Sequence, residues 1–474
     1  MTNGHRRSRD RTIIGRLSAK SGRALSSARQ NPLRLALVSA MGVGLGWLVL
    51  KSTLPYVFAR SDPDIALALS PANPDALIAR AEALRKRLLE SALAAEKSPA
   101  NPIAGLREAA GVTLEPTGRK PLTDDERAAL SKEIADLARR ALAEGPLNAT
   151  AYRLLGEATT NRDETRKFMA AAVRLSKREA TAAFWLLNDS FEQKNFAAAL
   201  DYADILYRTR PELTSYVTAF LTGMAGLPEF RTHLLDELAK NPEWRPKLMA
   251  DLPEALDDPQ ITLALLTGLR DRGTPPTEKE LAAYLNRLVS TGRIDLAYDA
   301  WLRFLPPAEA DQAGLVTNPG FDTPPRDHPF DWQIARGANA LAEIVPRPEP
   351  GGGGALHVSF GSGRVRFPEV SQILMLPAGK YRLSGSYRGS IVARRGLVWQ
   401  IACTRGAPKA RALSETANIM GEAKNWQTFE MTFDVPPGNT CVGQKLRLFH
   451  DKRSASEELI RGEIWFDDFK IARE

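Results

Sequence analysis

The sequence predicts a multidomain chain: one N-terminal transmembrane helix, an all-α helical-repeat domain and a C-terminal all-β sandwich. Three observations predict it. A charge-free apolar run at residues 35–50 follows a strongly basic tail; Ala- and Leu-rich helical periodicity extends from Ser61 to about Ala310; after Leu315 short alternating segments rich in Gly, Pro and aromatic residues take over. The expected boundaries are 1–34 for the tail, 35–59 for the membrane helix, 60–312 for the helical domain and 313–474 for the sandwich. A chain of 474 residues has room for this, because single cores stop growing at about 250–300 residues.

The net charge of +8 would suggest a nucleic-acid partner if it were spread over a folded surface. It is not. Arg6, Arg7, Arg9, Arg11, Arg16, Lys20, Arg23, Arg29 and Arg34 face only Asp10 within residues 1–34, so the tail accounts for the whole excess and the remainder is neutral. Nucleic acid is therefore not expected as a partner. A basic flank before the first apolar segment is instead a topology signal that holds the tail in the cytoplasm. The uncharged run covers about 24 Å, and snorkelling of Lys51 lets the span extend toward Phe58. The expected location is a bacterial inner membrane, crossed once, with the bulk in the periplasm. Two alternatives stay open: cleavage after Val57-Phe58-Ala59, which has a signal-peptidase pattern, and a buried core helix. Gly42-x-x-x-Gly46 fits a close helix–helix contact and with it a homo-oligomer; chance occurrence in a Gly-rich span is the alternative.

The helical part contains a recurring unit. Its clearest copy covers about residues 180–211, with Leu186 in a first helix, a turn at Asn195-Phe196, Ala199, Ala203 and Leu206 along a second, and Pro211 as the stop. A second covers about 281–307, with Tyr284, Leu288, a turn at Gly292, then Ala297, Trp301 and Phe304; degenerate copies fall at 149–176 (Tyr152, Leu155, Gly156) and 64–95 (Pro71, Leu77, Ala81, Leu84). The period of about 34 residues, with small residues where paired helices approach, resembles the tetratricopeptide repeat. Leu187 stands where the repeat's first-helix Gly belongs, and an irregular helical array is the alternative. The resemblance implies a surface that binds a protein partner. Residues 98–122 carry Pro and Gly without periodicity and read as an exposed loop.

In the last third, alternation places strands at about 355–360, 364–368, 381–388, 397–404, 426–435, 441–449 and 463–472. Four motifs follow in order: Asn318-Pro-Gly-Phe321-Asp322 with Trp332; Leu376-Pro-Ala-Gly-Lys-Tyr381; Asn425-Trp426 leading to Pro436-Pro-Gly438; and Ile464-Trp-Phe-Asp467-Asp468-Phe469. This succession resembles the galactose-binding-type jelly roll of family four and nine carbohydrate-binding modules, and implies a jelly-roll sandwich that touches glycan. Trp399, in step with Leu397 and Ile401, reads as core, with a sugar-stacking platform as the alternative. Lys445, Arg447 and Phe449 alternate with Leu446 and Leu448 and, with Gln400, form the candidate glycan-binding face; a merely solvated face is the alternative. Asp467 has inward parity unless its strand bulges, so it needs a cation, an Arg or several donors. The resemblance implies a structural calcium between Asp322 and Asp467.

Cys403 and Cys441 belong to no C-x-x-C or His-containing metal pattern and are read as a disulfide, with two buried thiols as the alternative. His5, His233, His328, His357 and His450 are scattered; Gly351 to Gly354 lacks the Lys-Ser/Thr of a phosphate loop. The acid pairs Asp124-Asp125, Asp257-Asp258 and Asp467-Asp468 could in principle serve a glycosidic bond, but neighbours in a strand point to opposite faces. No catalytic constellation emerges. The expected role is a non-catalytic envelope scaffold beside polysaccharide synthesis or export, with a pure assembly scaffold as the rival.

Overall fold

The computed structural model describes residues 32–95, 121–306, 309, 314–347, 352–367, 369–404, 412–454 and 457–474. The basic tail through residue 31, most of the expected 98–122 loop, and Gly351 lie outside the described residues. Fourteen helices and ten strands occur among the described residues. The chain divides into two compact units, Met1–Thr214 and Ser215–Glu474. The change from helix to strand and the border between units therefore fall at different places.

The first unit opens with α1 (Pro32–Phe58). Its segment Ala36–Phe58 is long and apolar enough to cross a membrane, covering about 35 Å at 1.5 Å per residue. Leu37, Val38, Met41 and Trp47 on it are exposed, as side chains facing lipid would be. The helix runs through Pro55, and Ala59 just beyond it is buried against Ala66 and Ala76.

Seven helices follow: α2 (Pro63–Leu69), α3 (Pro74–Ala95), α4 (Asp124–Glu144), α5 (Ala149–Ala158), α6 (Arg162–Leu175), α7 (Ala180–Glu192) and α8 (Phe196–Thr209). Their starts are set by side-chain caps that satisfy otherwise unpaired N–H groups. Asn148, Asn161 and Asn195 accept from the first turns of α5, α6 and α8, and Thr123 with Glu126 forms a capping box on α4. Helices pack in consecutive pairs, α3 on α4, α5 on α6 and α7 on α8. Fully buried Ala138, Ala151, Ala183, Ala199 and Ala203 let the backbones approach. Arg153 ties three hairpins together: it donates to Glu179 at 2.8 Å, Glu157 at 2.9 Å, and Glu82 on α3. Burial opposes its charge, but the three carboxylates outweigh that and raise its pKa.

From Ser215 the second unit holds α9 (Thr214–Met224, whose first residue closes the first unit), α10 (Pro228–Leu238), α11 (Arg245–Ala255), α12 (Pro259–Asp271), α13 (Glu278–Ser290) and α14 (Ile294–Phe304). Arg245 and Glu280 form a buried two-pronged pair at 2.9 and 2.8 Å, and Glu280 also closes the Thr277 capping box of α13. Gly292 supplies the left-handed turn (φ 73°) between α13 and α14.

The strands are β1 (Gln333–Ile334), β2 (Ala340–Pro346), β3 (Gly354–Phe360), β4 (Val370–Leu374), β5 (Gly379–Ala393), β6 (Leu397–Cys403), β7 (Ala412–Glu415), β8 (Gly421–Val435), β9 (Gln444–His450) and β10 (Ile460–Arg473). They form two antiparallel five-stranded sheets, β1-β4-β9-β6-β7 and β2-β3-β10-β5-β8. Inward residues of both sheets make one core. Trp399 is fully buried there, edge-on to Phe469 (4.8 Å), Phe466 (5.5 Å) and Trp332 (5.8 Å).

The sequence motifs act as clasps on this core. Asn318 and Phe321 turn through positive φ, Trp332 Nε1 donates to the Asn318 carbonyl at 2.9 Å, and the Phe469 N–H donates to the Pro319 carbonyl at 3.0 Å. The opening loop is thereby fastened to the last strand. Tyr381 donates its hydroxyl to the Pro377 carbonyl at 2.9 Å, closing its own hairpin. Cys403 and Cys441 are bridged, with Cα atoms 5.1 Å apart, joining β6 to the turn before β9. One expected strand differs: residues 364–367 make only an isolated bridge, Arg366 to Ala338.

Candidate functional site

The face of β1-β4-β9-β6-β7 turned away from the core carries the predicted polar residues. Leu446 and Leu448 are fully buried in the core, so Lys445, Arg447 and Phe449 take the opposite side of β9. Register places Arg447 between Ser371 of β4 and Gln400 of β6, with Gln333 and Glu415 one strand further out on either side. A polar row thus crosses the whole sheet.

The row is bonded. Arg447 donates through Nε (2.9 Å) and Nη2 (2.7 Å) to Gln400 Oε1, and Gln400 Nε2 donates to Glu415 at 3.1 Å. Glu369, just before β4, accepts from Arg447 Nη1 at 3.3 Å and from Lys445. Burial alone would raise the Glu369 pKa, but Lys445 and Arg447 hold it below the usual carboxylate range. The guanidinium also lies over the Phe449 ring, 4.8 Å from its centroid. The four predicted residues are therefore one network, and Glu369 is the member the sequence reading did not include.

Chemically, this is a set of donors and acceptors with fixed positions. Side chains of Lys445, Arg447 and Glu369 keep about a third of their surface open to solvent (35, 37 and 33%). Gln400 and Ser371 of the same row are buried, so Lys445, Arg447 and Glu369 form its solvent-facing part, a donor and acceptor set that suits hydroxyl-rich ligands. The aromatic side of the site is thin: Phe449 is the aromatic residue on this face among the described residues, and Arg447 covers one side of its ring.

Asp322 and Asp467 share a neighbourhood at the other sheet. Asp467 is buried, and Arg347 donates to it at 2.7 Å. Arg347 also approaches Asp468 at 3.3 Å and lies over the Trp426 ring at 4.2 Å. Strand β10 does bulge, with its register shifting between Asp467 and Lys470 and Asp468 at φ 58°. Burial pushes the Asp467 carboxyl up to about 6; the charges of Asp468 and Asp322 add to this, while the Asp468 N–H and Arg347 oppose it. Asp322 accepts from the Gly354 N–H at 3.0 Å. Arg347 thus meets the need for an Arg partner, and no group of three or more His, Cys, Asp or Glu with metal-holding geometry occurs among the described residues.

No family model matches the chain, and no curated protein matches it. Among solved structures the chain is similar to one described as CBM4 (15% identity, TM-score 0.24, covering 34% of this chain and 99% of that one). It is also similar to TmCBM61 in complex with β-1,4-galactotriose (21%, TM-score 0.22, 34% and 98%) and to the CBM22-1 xylan-binding domain of Paenibacillus barcinonensis Xyn10C (13%, TM-score 0.23, 32% and 90%). What the chain resembles, over about a third of its length, is a set of carbohydrate-binding modules.

Proposed function

We propose that this chain is a non-catalytic, membrane-anchored envelope scaffold whose sandwich binds glycan through the outer face of β1-β4-β9-β6-β7. The observation that carries this reading is the Lys445–Glu369–Arg447–Gln400–Glu415 network. Mutual bonding locks its rotamers before a ligand arrives, so little side-chain entropy is lost on binding. The two cations Lys445 and Arg447 are balanced in number by the carboxylates Glu369 and Glu415, which favours neutral or weakly charged sugars over polyanions.

The anchor is α1, with the basic tail cytoplasmic and the rest periplasmic; the disulfide supports an oxidising destination. Burial of Ala59 against α2 supports retention of the anchor over cleavage there. In this reading the paired helices act as tetratricopeptide-like repeats that hold a protein partner, and the molecule works beside polysaccharide synthesis or export machinery. A calcium ion between Asp322 and Asp467 belongs to the proposal only if it displaces Arg347 from Asp467.

One observation favours the rival, an assembly scaffold without sugar binding: the guanidinium on the Phe449 ring leaves little bare aromatic surface for stacking. Calorimetric titration of the detergent-solubilised full chain against bacterial and plant polysaccharides separates the two. Binding to at least one neutral polysaccharide is expected; binding to none would leave the assembly scaffold. A phosphatase fusion after residue 474 reads the topology, and activity of that fusion is expected only if the bulk is periplasmic.

A further inference from the structure

The second sheet ends in two very different edges. At one, β8 exposes Glu422, Lys424, Glu430 and Asp434, the charges that keep an edge strand from pairing with other chains. At the other, β2 (Ala-Leu-Ala-Glu-Ile-Val-Pro) has no Lys, and its Leu341 is 50% exposed.

A groove of about 610 Å³ runs along β2. All of Leu341 to Pro346 line it, both parities in succession, so the backbone edge of the strand faces the groove. The far wall is Phe321 to Pro325 with Ile334 and Arg336; Pro324 and Pro325 bring no N–H to it.

Ladder bonds at both ends of β2 fix which backbone groups point where. Arg347 N–H donates to the Gly353 carbonyl (3.0 Å), and Gly361 N–H to the Asn339 carbonyl (2.9 Å). Antiparallel pairs alternate between bonded and non-bonded, so Leu341, Glu343 and Val345 turn their N–H and C=O groups to β3. Ala342 and Ile344 turn theirs into the groove, two donors and two acceptors about 6.8 Å apart, with no partner among the described residues.

We propose that β2 is a strand-addition site for an extended peptide segment of a partner protein. Alternating N–H and C=O groups at strand spacing match another β-strand, and affinity in such pairings comes from the main chain. The side chains set the rest. The ligand's inward parity is apolar, meeting Ile334 and the Pro324-Pro325 wall; its outward parity carries Lys or Arg beside exposed Glu343, with apolar residues beside Leu341 and Val345. This site is independent of the glycan face on the other sheet.

The test uses the detergent-solubilised full chain and two synthetic, end-blocked peptides alternating valine and threonine, one with lysine and one with glutamate at the centre. Fluorescence anisotropy reads affinity and amide hydrogen exchange reads location. The lysine peptide is expected to bind at least tenfold more tightly than the glutamate peptide and to slow exchange at Ala342 and Ile344. Ile344→Pro removes a donor that makes no internal bond and is expected to weaken binding more than tenfold. Glu343→Lys, an exposed change that leaves the ladder intact, is expected to reverse the peptide preference. Binding of neither peptide, or binding unaffected by both substitutions, overturns the proposal. So does concentration-dependent dimerisation abolished by Ile344→Pro, which would make a second copy the occupant, and so does displacement of the bound peptide by a polysaccharide.

Discussion

The helical hairpins of residues 63–209 and the sandwich of residues 316–473 solve the same burial problem with opposite materials. The hairpins approach through alanines and are cross-linked by buried charge, Arg153 with three carboxylates and Asp189 with Arg162 and Arg166. The sandwich fills its centre with rings, Trp332, Trp399, Phe466 and Phe469, and adds a covalent link. Polar cross-links are orientation-dependent and fix how consecutive helices stack; ring packing is area-dependent and holds two sheets joined by distant segments. One region is therefore sensitive to lost charge partners and the other to lost volume.

The largest expected effect breaks the comparison on the sandwich side. Trp399→Ala should cost about 3–5 kcal/mol, the usual range for a fully buried large aromatic, read as a shift in the urea midpoint of the near-UV signal. Arg153→Ala should cost about 2–3 kcal/mol, because Glu179 loses its cation while Glu82 and Glu157 keep Arg85, with far-UV helicity as the readout. Volume loss in the hairpins should be milder: Ala199→Gly is expected to cost about 1 kcal/mol, mostly propensity. Reducing Cys403–Cys441, which closes a loop with a sequence separation of 38, should lower stability by about 2–4 kcal/mol in chemical denaturation, without affecting an Arg153 variant's additional loss.

A separate effect is a pH dependence. Asp467 has a folded pKa of about 6 against an ordinary 3.8, so the folded state holds the extra proton between those values. Stability contributed by this group is then highest near pH 4 and declines as pH rises toward 6. Carboxylates with lowered pKa, such as Glu369 and Asp189, act in the opposite sense, so the contribution is read by difference: Asp467→Asn should raise the urea midpoint at pH 7 relative to its effect at pH 4.

The same contrast explains what could be read from the sequence. Helix pairs were legible because Asn caps, Pro stops and buried alanines are local signals, as at Asn195, Pro211 and Ala199. Strands β5, β6, β8, β9 and β10 were legible by alternation or by apolar runs. Strand β4 was not: Val370 to Leu374 is buried on both faces, and Gln372 is satisfied there by exchanging two hydrogen bonds with the Thr317 backbone (2.9 and 3.0 Å), so no periodicity survives. Short β1 and the Ala-rich β2 gave no pattern either. At residues 364–368 alternation was present, but the ladder consists of one bridge.

For the site, parity on β9 and β6 grouped Lys445, Arg447, Phe449 and Gln400, because outward residues at matching register must meet. Glu369 precedes its strand and reaches the network through a long side chain, which parity does not report. Arg347 was missed for a related reason: its partner Asp467 is 120 positions away, and only the folded sheet brings them together.

The most direct test of the glycan face compares substitutions on the two sheets. The tightest-binding polysaccharide is titrated calorimetrically against the full chain, Arg447→Ala, Gln400→Ala and, as control, Arg347→Ala on the other sheet. Loss of more than tenfold in affinity for Arg447→Ala and Gln400→Ala, with Arg347→Ala within twofold of the native chain, is the predicted result. Equal losses for all three, or no loss for Arg447→Ala, would contradict it.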